Sequence, residues 1–178
     1  GESVIHPDDI TFIEQNVCDP KYRTGFDRNL WIWEQYNPEC SYLLVADVAR
    51  GDGADCSVFH ILNLDTMEVV AEYQGKPSLD MYANVLLQAG KEYGNCLLVV
   101  ENVGIGISVL EKLIDLQYPN LYYSVKGSHD FVESHQGETS NSAVPGFTTS
   151  SKTRPLIVAK LEEFIRNKLI KVYSVRLS

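Results

Sequence analysis

The chain has 178 residues, 44% of them hydrophobic, and a formal net charge of −9 at pH 7. This length predicts one domain with a short appendage and a core large enough to fold alone. The negative charge argues against a protein that coats nucleic acid through bulk electrostatics. It leaves open an enzyme that engages DNA locally, because a bound metal reverses the sign of its site. No run of 18 apolar residues is present, so no membrane span is predicted.

The cysteines are Cys18, Cys40, Cys56 and Cys96, and no two of them form a CxxC pair. This spacing predicts free, mostly buried thiols in a reducing compartment, and neither disulfides nor a zinc site. The sequence begins with Gly1 instead of Met, and no signal-peptide core follows. We therefore expect it to be part of a longer protein.

The first forty residues lack a sustained hydrophobic period. The segment HPDD at residues 6–9 is typical of a helix start, and residues 30–34 alternate like a short strand. We therefore expect residues 1–40 to form a linker or arm that carries one strand. The main domain is predicted to span residues 41–178.

A regular pattern begins at residue 41. Residues 42–49 are almost continuously apolar, which predicts a central strand buried on both faces. Residues 57–64 and 68–74 read as two further strands joined by a tight turn. These segments predict a three-stranded antiparallel meander.

Helices and strands then alternate along the chain. Ser78 is a good N-cap for the first helix, and the last helix is predicted to have an apolar face. A long polar loop over 126–150 interrupts the alternation. The predicted elements are a helix over 78–93, a strand over 96–100, a helix over 105–117, a strand over 121–125, a helix over 151–167 and a strand over 169–175.

This order predicts an α/β fold whose mixed central sheet combines the meander with parallel strands and is flanked by helices. That is the ribonuclease H-like arrangement, in which the first strand and the strand after the first helix lie side by side. Each of these two strands ends in an acid, Asp47 in the first and Glu101 in the second. Asp55 follows Asp47 after a turn rich in Gly and Asp.

Carboxylates that meet at one edge of a sheet repel each other unless a cation neutralises them. Oxygen-only ligands select hard cations, so Asp47, Glu101 and Asp55 predict a site for Mg²⁺ or Mn²⁺. Two such ions can clamp a scissile phosphate, with one activating water and the other stabilising the leaving oxygen. The predicted chemistry is metal-dependent phosphodiester hydrolysis.

Other readings of these residues stay open. Acids at strand ends often do no more than reach solvent, and residues 50–53 are explained by a turn in which Asp52 caps the backbone. The pair Gly104 and Gly106 resembles a dinucleotide fingerprint but lacks its third glycine. No local signature of Ser/His/Asp or Cys/His catalysis is present.

Three segments carry a resemblance to a known family. They are LWIWEQYNPECSYLLVADVARGDGADCSVFHILNLDT, LLVVENVGIGISVLEKL and GFTTSSKTRPLIVAKLEEFIRNKLIKVYS. Together they cover roughly residues 28–177, and the block D-V-(A/S)-x-G-x-G-x-D with the later V-E-N is the specific part. The chain resembles the C-terminal nuclease domain of the large terminase subunit of contractile-tailed bacteriophages.

The resemblance implies a ribonuclease H-like, Mg²⁺- or Mn²⁺-dependent endonuclease that cuts concatemeric double-stranded DNA when packaging starts and ends. Asp47 and Glu101 match the family's first two metal-binding acids, and Asp55 matches a further acid nearby. The implied partners are double-stranded DNA, an N-terminal ATPase domain of the same protein, the portal and the small terminase subunit. The implied location is the cytoplasm of the infected bacterial host, with no membrane involved.

One departure from the family pattern matters. The family's third catalytic acid lies in a Gly-x-x-Asp-Asp-like segment, which would follow residue 178. We therefore expect the 178-residue chain to bind Mg²⁺ or Mn²⁺ weakly and to cleave poorly. Two alternatives remain: another ribonuclease H-like nuclease, such as a junction resolvase or transposase, and a non-catalytic module that docks onto the packaging motor.

Overall fold

The structure is a computed structural model that describes residues 5–51, 53–125 and 143–176. The helices are α1 (Pro7–Asn16), a short 3-10 helix (Phe26–Arg28), α2 (Leu79–Glu92), α3 (Gly106–Asp115) and α4 (Thr153–Arg166). The strands are β1 (Tyr22–Thr24), β2 (Leu30–Ile32), β3 (Tyr42–Asp47), β4 (Ser57–Asn63), β5 (Glu68–Gly75), β6 (Leu97–Val100), β7 (Tyr123–Val125) and β8 (Ala143–Pro145). Among the described residues, no helix combines the length and hydropathy that a membrane crossing requires.

A six-stranded mixed sheet organises the domain, in the order β1-β2-β5-β4-β3-β6. β3, β4 and β5 form the predicted antiparallel meander. β6 returns after α2 and pairs in parallel with β3, from Leu43 opposite Leu97 to Ala46 opposite Val100. The predicted ribonuclease H-like α/β arrangement is confirmed.

The main core lies on one face of this sheet, under α2 and α3. Inward residues of the central strands, such as Leu44 and Phe59, are completely buried and form one cluster with Leu86 of α2 and Leu113 of α3. α2 begins as predicted, because the Ser78 side chain accepts a hydrogen bond from the Met81 amide. The apolar residues that recur with helical spacing in α2 and α3 and with strand spacing in the sheet therefore pack into one apolar layer.

The other face of the sheet is more open. Val45, in the middle of β3, is 46% exposed, and burial alternates along β3 and β4. The prediction that β3 is buried on both faces is therefore wrong. Its apolar run is continuous, but the described residues cover only one of its two sides.

The N-terminal residues contribute more structure than the sequence predicted. β2 confirms the expected strand and pairs with β5, while β1 adds an edge strand beyond it. All three residues of β1 are exposed, which explains why the sequence shows no apolar alternation that would predict this strand. Part of the predicted linker over residues 1–40 is therefore hydrogen-bonded into the same sheet as the rest of the domain.

The predicted strand over 121–125 joins the main sheet only through a single bridge between Leu98 and Leu121. Its later residues, as β7, instead pair with β8 in a separate two-stranded sheet. β8 comes from the segment predicted as a long loop, and residues 126–142 of that loop lie outside the described residues. Local pattern could not reveal this pairing, because the partner follows an intervening stretch without strand signals.

Two predictions near the C-terminus need correction. Residues 169–175 make one bridge, between Lys171 and Glu68, and do not form a strand. The predicted apolar face of α4 is largely unburied: Ile165 is 6% exposed, but Leu156 and Leu161 are 64% and 47% exposed. The cysteines are free as predicted, but the prediction that they are mostly buried is wrong: Cys96 is buried, Cys40 and Cys56 are partly buried, and Cys18 is exposed.

A buried carboxylate ties the C-terminal segment to the sheet. Glu72 of β5 is 1% exposed, and its oxygens lie 3.0 Å from His60 Nε2, 2.9 Å from Ser174 Oγ and 3.3 Å from Arg176 Nη1. Burial alone would raise the pKa of Glu72, but these hydrogen bonds and the charges of His60 and Arg176 outweigh it and lower that pKa. Arg176 also stacks on Trp31, with its guanidinium 3.5 Å from the ring centre.

We expect Glu72→Gln to lower the free energy of unfolding by about 1–3 kcal/mol at pH 7, because it leaves partly buried donors without their charged acceptor. Glu68→Gln is the matched control on the same strand. Its partner Lys171 is half exposed, so that loss should stay below about 1 kcal/mol. Urea denaturation measures both variants.

The Glu72 contribution should also depend on pH. The folded-state pKa lies below the unfolded one, so the stabilisation is present above the ordinary Glu pKa and is lost as pH falls through the folded pKa. The stability difference between the unaltered chain and Glu72→Gln should therefore narrow on acidification. A difference that widens as the pH falls would contradict this account.

Candidate metal centre

Two acids lie side by side where β3 and β6 end. The parallel register pairs Ala46 with Val100, and the Glu101 amide donates to the Ala46 carbonyl at 3.1 Å, so Asp47 and Glu101 occupy the next matched positions. Ala46 and Val100 are buried beneath the helices. Because side chains alternate along a strand, Asp47 and Glu101 belong to the opposite, more open face.

The pKa of Asp47 records this crowding. Partial desolvation at the strand end raises it, and the neighbouring Glu101 raises it further through charge repulsion and a side-chain hydrogen bond. The Val48 amide offsets part of the shift by donating to the carboxylate, and the charge of Asp55 adds to it. In the absence of a cation, Asp47 therefore carries its negative charge at a cost.

Asp55 lies farther away than the sequence suggested. It is exposed in the turn between β3 and β4, and it acts on Asp47 through its charge alone. Among the residues that the structure describes, no three Asp, Glu, His or Cys side chains cluster closely enough to hold a metal ion. The structure thus brings together Asp47 and Glu101, with Asp55 outside that pair, and the metal-binding role of all three stays a prediction.

Buried hydroxyl groups hold the end of β3 in place. Tyr82 of α2 is completely buried, and its hydroxyl lies 3.0 Å from the Asp47 carbonyl oxygen and 2.7 Å from that of Val58. Ser57, also completely buried, accepts a hydrogen bond from the Ala49 amide at 3.0 Å and donates to the Ala49 carbonyl at 3.2 Å. These contacts fix the backbone that carries Asp47 from below and from the side.

An open groove of about 690 Å³ lies along these strand ends, and we call it the acidic groove. Asp47, Val58 and Gln74 are matched neighbours on β3, β4 and β5 and form its floor. The turn after β3 supplies much of the rest, including Asp55 and Arg50. Asp52, assigned to this turn from the sequence, lies outside the described residues.

Arg50 is the lining residue that the sequence reading missed as a functional candidate. The sequence pattern of residues 50–53 indicates a turn, and a turn alone gives no functional reason for a basic side chain. The available signal was the position of a basic residue between two acids, Asp47 and Asp55, in the segment DVARGDGAD. That signal acquires meaning only when the groove itself is known.

Comparisons with protein-family models and with curated proteins find no match for this chain. Solved structures do resemble it. The large terminase nuclease from thermophilic phage G20c with bound magnesium superposes with a TM-score of 0.67 and 18% identity, covering 99% of this chain and 78% of that one. The Thermus phage P74-26 large terminase nuclease domain gives 0.62 and 17%, covering 95% and 73%.

A more distant structure extends the likeness beyond phages. The human cytomegalovirus terminase nuclease domain, soaked with manganese and bound to an inhibitor, gives a TM-score of 0.51 with 9% identity. That match covers 98% of this chain and 81% of the other. At sequence identities this low, the superpositions support a shared fold. This chain has the ribonuclease H-like fold of large terminase nuclease domains.

Proposed function

We propose that this chain is the nuclease domain of a viral DNA-packaging terminase, a metal-dependent endonuclease that cuts concatemeric double-stranded DNA at the initiation and termination of packaging. One observation carries the proposal: the parallel register of β3 and β6, which sets Glu101 beside Asp47, a residue that lines an open groove. The shared fold with terminase nucleases supports it.

The donor set of the proposed site fits a hard divalent cation. Carboxylate oxygens are the ligands that Mg²⁺ and Mn²⁺ prefer. Partial desolvation and, after it, the charges of Glu101 and Asp55 raise the pKa of Asp47, and a cation would balance that negative charge. Fold neighbours with bound magnesium, cobalt or zinc, or soaked with manganese, support a divalent metal. In this proposal Asp47 and Glu101 hold the metal, and Asp55 positions water or a second ion.

When bound, such an ion supplies water activation and stabilisation of the leaving oxygen. The chain's own residues supply the geometry. Tyr82 and Ser57 fix the end of β3 and the turn after it, so Asp47 is held in place before substrate arrives. An open groove beside the two acids leaves room for a DNA backbone.

The proposal extends to the biological setting. The domain would act with an ATPase domain of the same protein, the portal and the small terminase subunit, in the cytoplasm of an infected bacterium. Residues 41–178 would form the nuclease domain, and residues 1–40 would lead toward the ATPase domain. Because β1 and β2 belong to the sheet, we assign the linking role to the residues before Tyr22.

A non-catalytic docking module is the second candidate. It is favoured by one observation: within the described residues only two acids converge closely, and no trio does. Such a module would need no metal. Binding of a divalent cation at Asp47 and Glu101 therefore separates the two functions.

We expect the chain to bind Mn²⁺ weakly and to nick supercoiled plasmid DNA slowly, only when Mn²⁺ or Mg²⁺ is present. Asp47→Ala should weaken Mn²⁺ binding by at least about tenfold, since it removes a ligand, and should abolish nicking. Isothermal titration calorimetry and a gel assay measure the two effects. Asp115→Ala, at the far end of α3, is the control and should change neither.

If Asp47→Ala binds Mn²⁺ as tightly as the unaltered chain, the proposed metal site at Asp47 is wrong. Robust cleavage by the unaltered chain, abolished by Asp47→Ala, would instead refute the expectation that this chain cleaves poorly.

The raised pKa of Asp47 gives a metal-free prediction. Its folded-state pKa lies above the unfolded one, so ionisation at neutral pH costs the folded state stability. Asp47→Asn should therefore slightly raise Tm at pH 7 without metal. The gain should vanish below the ordinary Asp pKa, where the carboxyl is protonated in both states.

Mn²⁺ should reverse this ranking. It should raise the Tm of the unaltered chain, because only the folded state offers the site, and leave Asp47→Asn nearly unmoved. Asp115→Asn serves as the control in both scans. A lower Tm for metal-free Asp47→Asn at pH 7 would contradict the proposed repulsion.

A further inference from the structure

Arg50 occupies a distinctive place in the acidic groove. Among the described residues that line it, Arg50 is the one with a cationic side chain, and Asp47 and Asp55 are the acids. Arg50 is exposed, and no hydrogen bond or ion pair joins its guanidinium to another described residue. By contrast, Arg23, Arg166 and Arg176 pair with carboxylates.

The backbone on both sides of Arg50 is fixed. Ser57 holds both polar backbone groups of Ala49. Gly51 has φ +82°, and a Cβ on it would lie 2.7 Å from the Pro77 carbonyl oxygen, so the turn packs tightly against the residues before α2. Farther along, the Gly53 carbonyl accepts a hydrogen bond from Lys76 at 2.9 Å. The turn therefore presents the Arg50 side chain from a held position.

A guanidinium with no partner in the described part of the chain meets a specific chemical need in this place. A phosphodiester entering the groove faces the carboxyl groups of Asp47 and Asp55, with Glu101 next to Asp47. A nearby cation offsets the resulting repulsion. The planar fork of an Arg matches the non-bridging oxygens of a phosphate, and Arg loses less hydration than Lys when it binds one. Because no acid among the described residues pairs with Arg50, its donors are available to such a ligand.

We propose that Arg50 is a DNA-binding residue that holds a non-bridging phosphate oxygen of the duplex backbone in the acidic groove. The inference rests on the proposed nuclease function, which it deepens by naming how the substrate is held. Arg50 contacts backbone and not bases, so it contributes affinity without sequence preference. Asp47 and Glu101 keep the metal role assigned to them above.

The test uses the full 178-residue chain with Arg50→Ala and Arg50→Lys. Binding of a short fluorescent duplex is measured by anisotropy in Ca²⁺ over a series of salt concentrations, and Mn²⁺ binding to the free protein is measured by calorimetry. Lys91→Ala is the control, since it removes the same charge about 13 Å farther along α2 than Tyr82. Thermal melts establish that each variant folds.

Arg50→Ala should weaken duplex binding by about five- to tenfold and reduce the slope of log affinity against log salt by about 1. Arg50→Lys should restore part of the loss, and Lys91→Ala should change little. Mn²⁺ affinity of Arg50→Ala should stay the same or rise, because a positive charge near the acids has been removed. A merely structural role for Arg50 would weaken Mn²⁺ binding as well.

Duplex binding by Arg50→Ala equal to that of the unaltered chain would overturn the proposal, and so would a parallel loss of Mn²⁺ and DNA affinity. Failure of the proposed nuclease function would give a different set of results. An unaltered chain that binds duplex through Arg50 but never cleaves it would refute the nuclease alone. An unaltered chain that binds no duplex would refute both.

Discussion

The parallel pairing of β3 with β6 is the constraint on which the proposed site depends. It sets Ala46 opposite Val100, and both are buried beneath the helices. Strand periodicity then sends the next pair, Asp47 and Glu101, to the open face. A slip of one residue would turn Asp47 inward, where an unpaired carboxylate is expensive. The apolar pattern that builds the core therefore also determines where the acids lie.

Placing the carboxyl groups of Asp47 and Glu101 side by side lowers the stability of the fold, and hydrogen bonds in the surrounding structure offset this loss. Tyr82 and Ser57 are both fully buried and hydrogen-bonded to the backbone around Asp47, at an expected net contribution of about 0.5–1.5 kcal/mol per bond. They stabilise the end of β3 without touching either carboxyl group. The acids can repel each other while their backbone stays in place, which is the arrangement that a cation site requires.

Sequence reasoning recovered the parts of this fold that local pattern encodes. The meander, the parallel return of β6 and the helices that cover them follow from apolar periodicity, and Asp47 and Glu101 follow from their places at strand ends. β1 has no apolar alternation because its three residues are all exposed, and β8 lies in a polar segment where only its pairing with β7 defines it as a strand. The strand predicted over residues 169–175 is reduced to one bridge at Lys171, and side-chain hydrogen bonds to Glu72 hold Ser174 and Arg176 instead.

In the candidate site, too, the sequence predicts what local pattern encodes but not what depends on tertiary contacts. Periodicity determines the face on which an acid lies, but not how far a loop carries another one, so Asp55 fell outside the close pair. Arg50 was read as part of a turn because its significance depends on the groove around it. Both residues belong to the turn between β3 and β4, whose shape depends on tertiary contacts with Ser57 and Pro77.

The open face of the sheet carries two acids whose environments are opposite. Glu72, matched with His60 and Trp31 on neighbouring strands, has hydrogen-bond and charge partners, and its pKa is lowered. Asp47, two strands away on the same face, is partly desolvated and has another acid as its neighbour, and both effects raise its pKa. A protein gains stability from the first arrangement and loses it in the second. An acid kept in a destabilising environment on a well-held strand is typical of a ligand-binding group, which supports the metal-binding role proposed for Asp47.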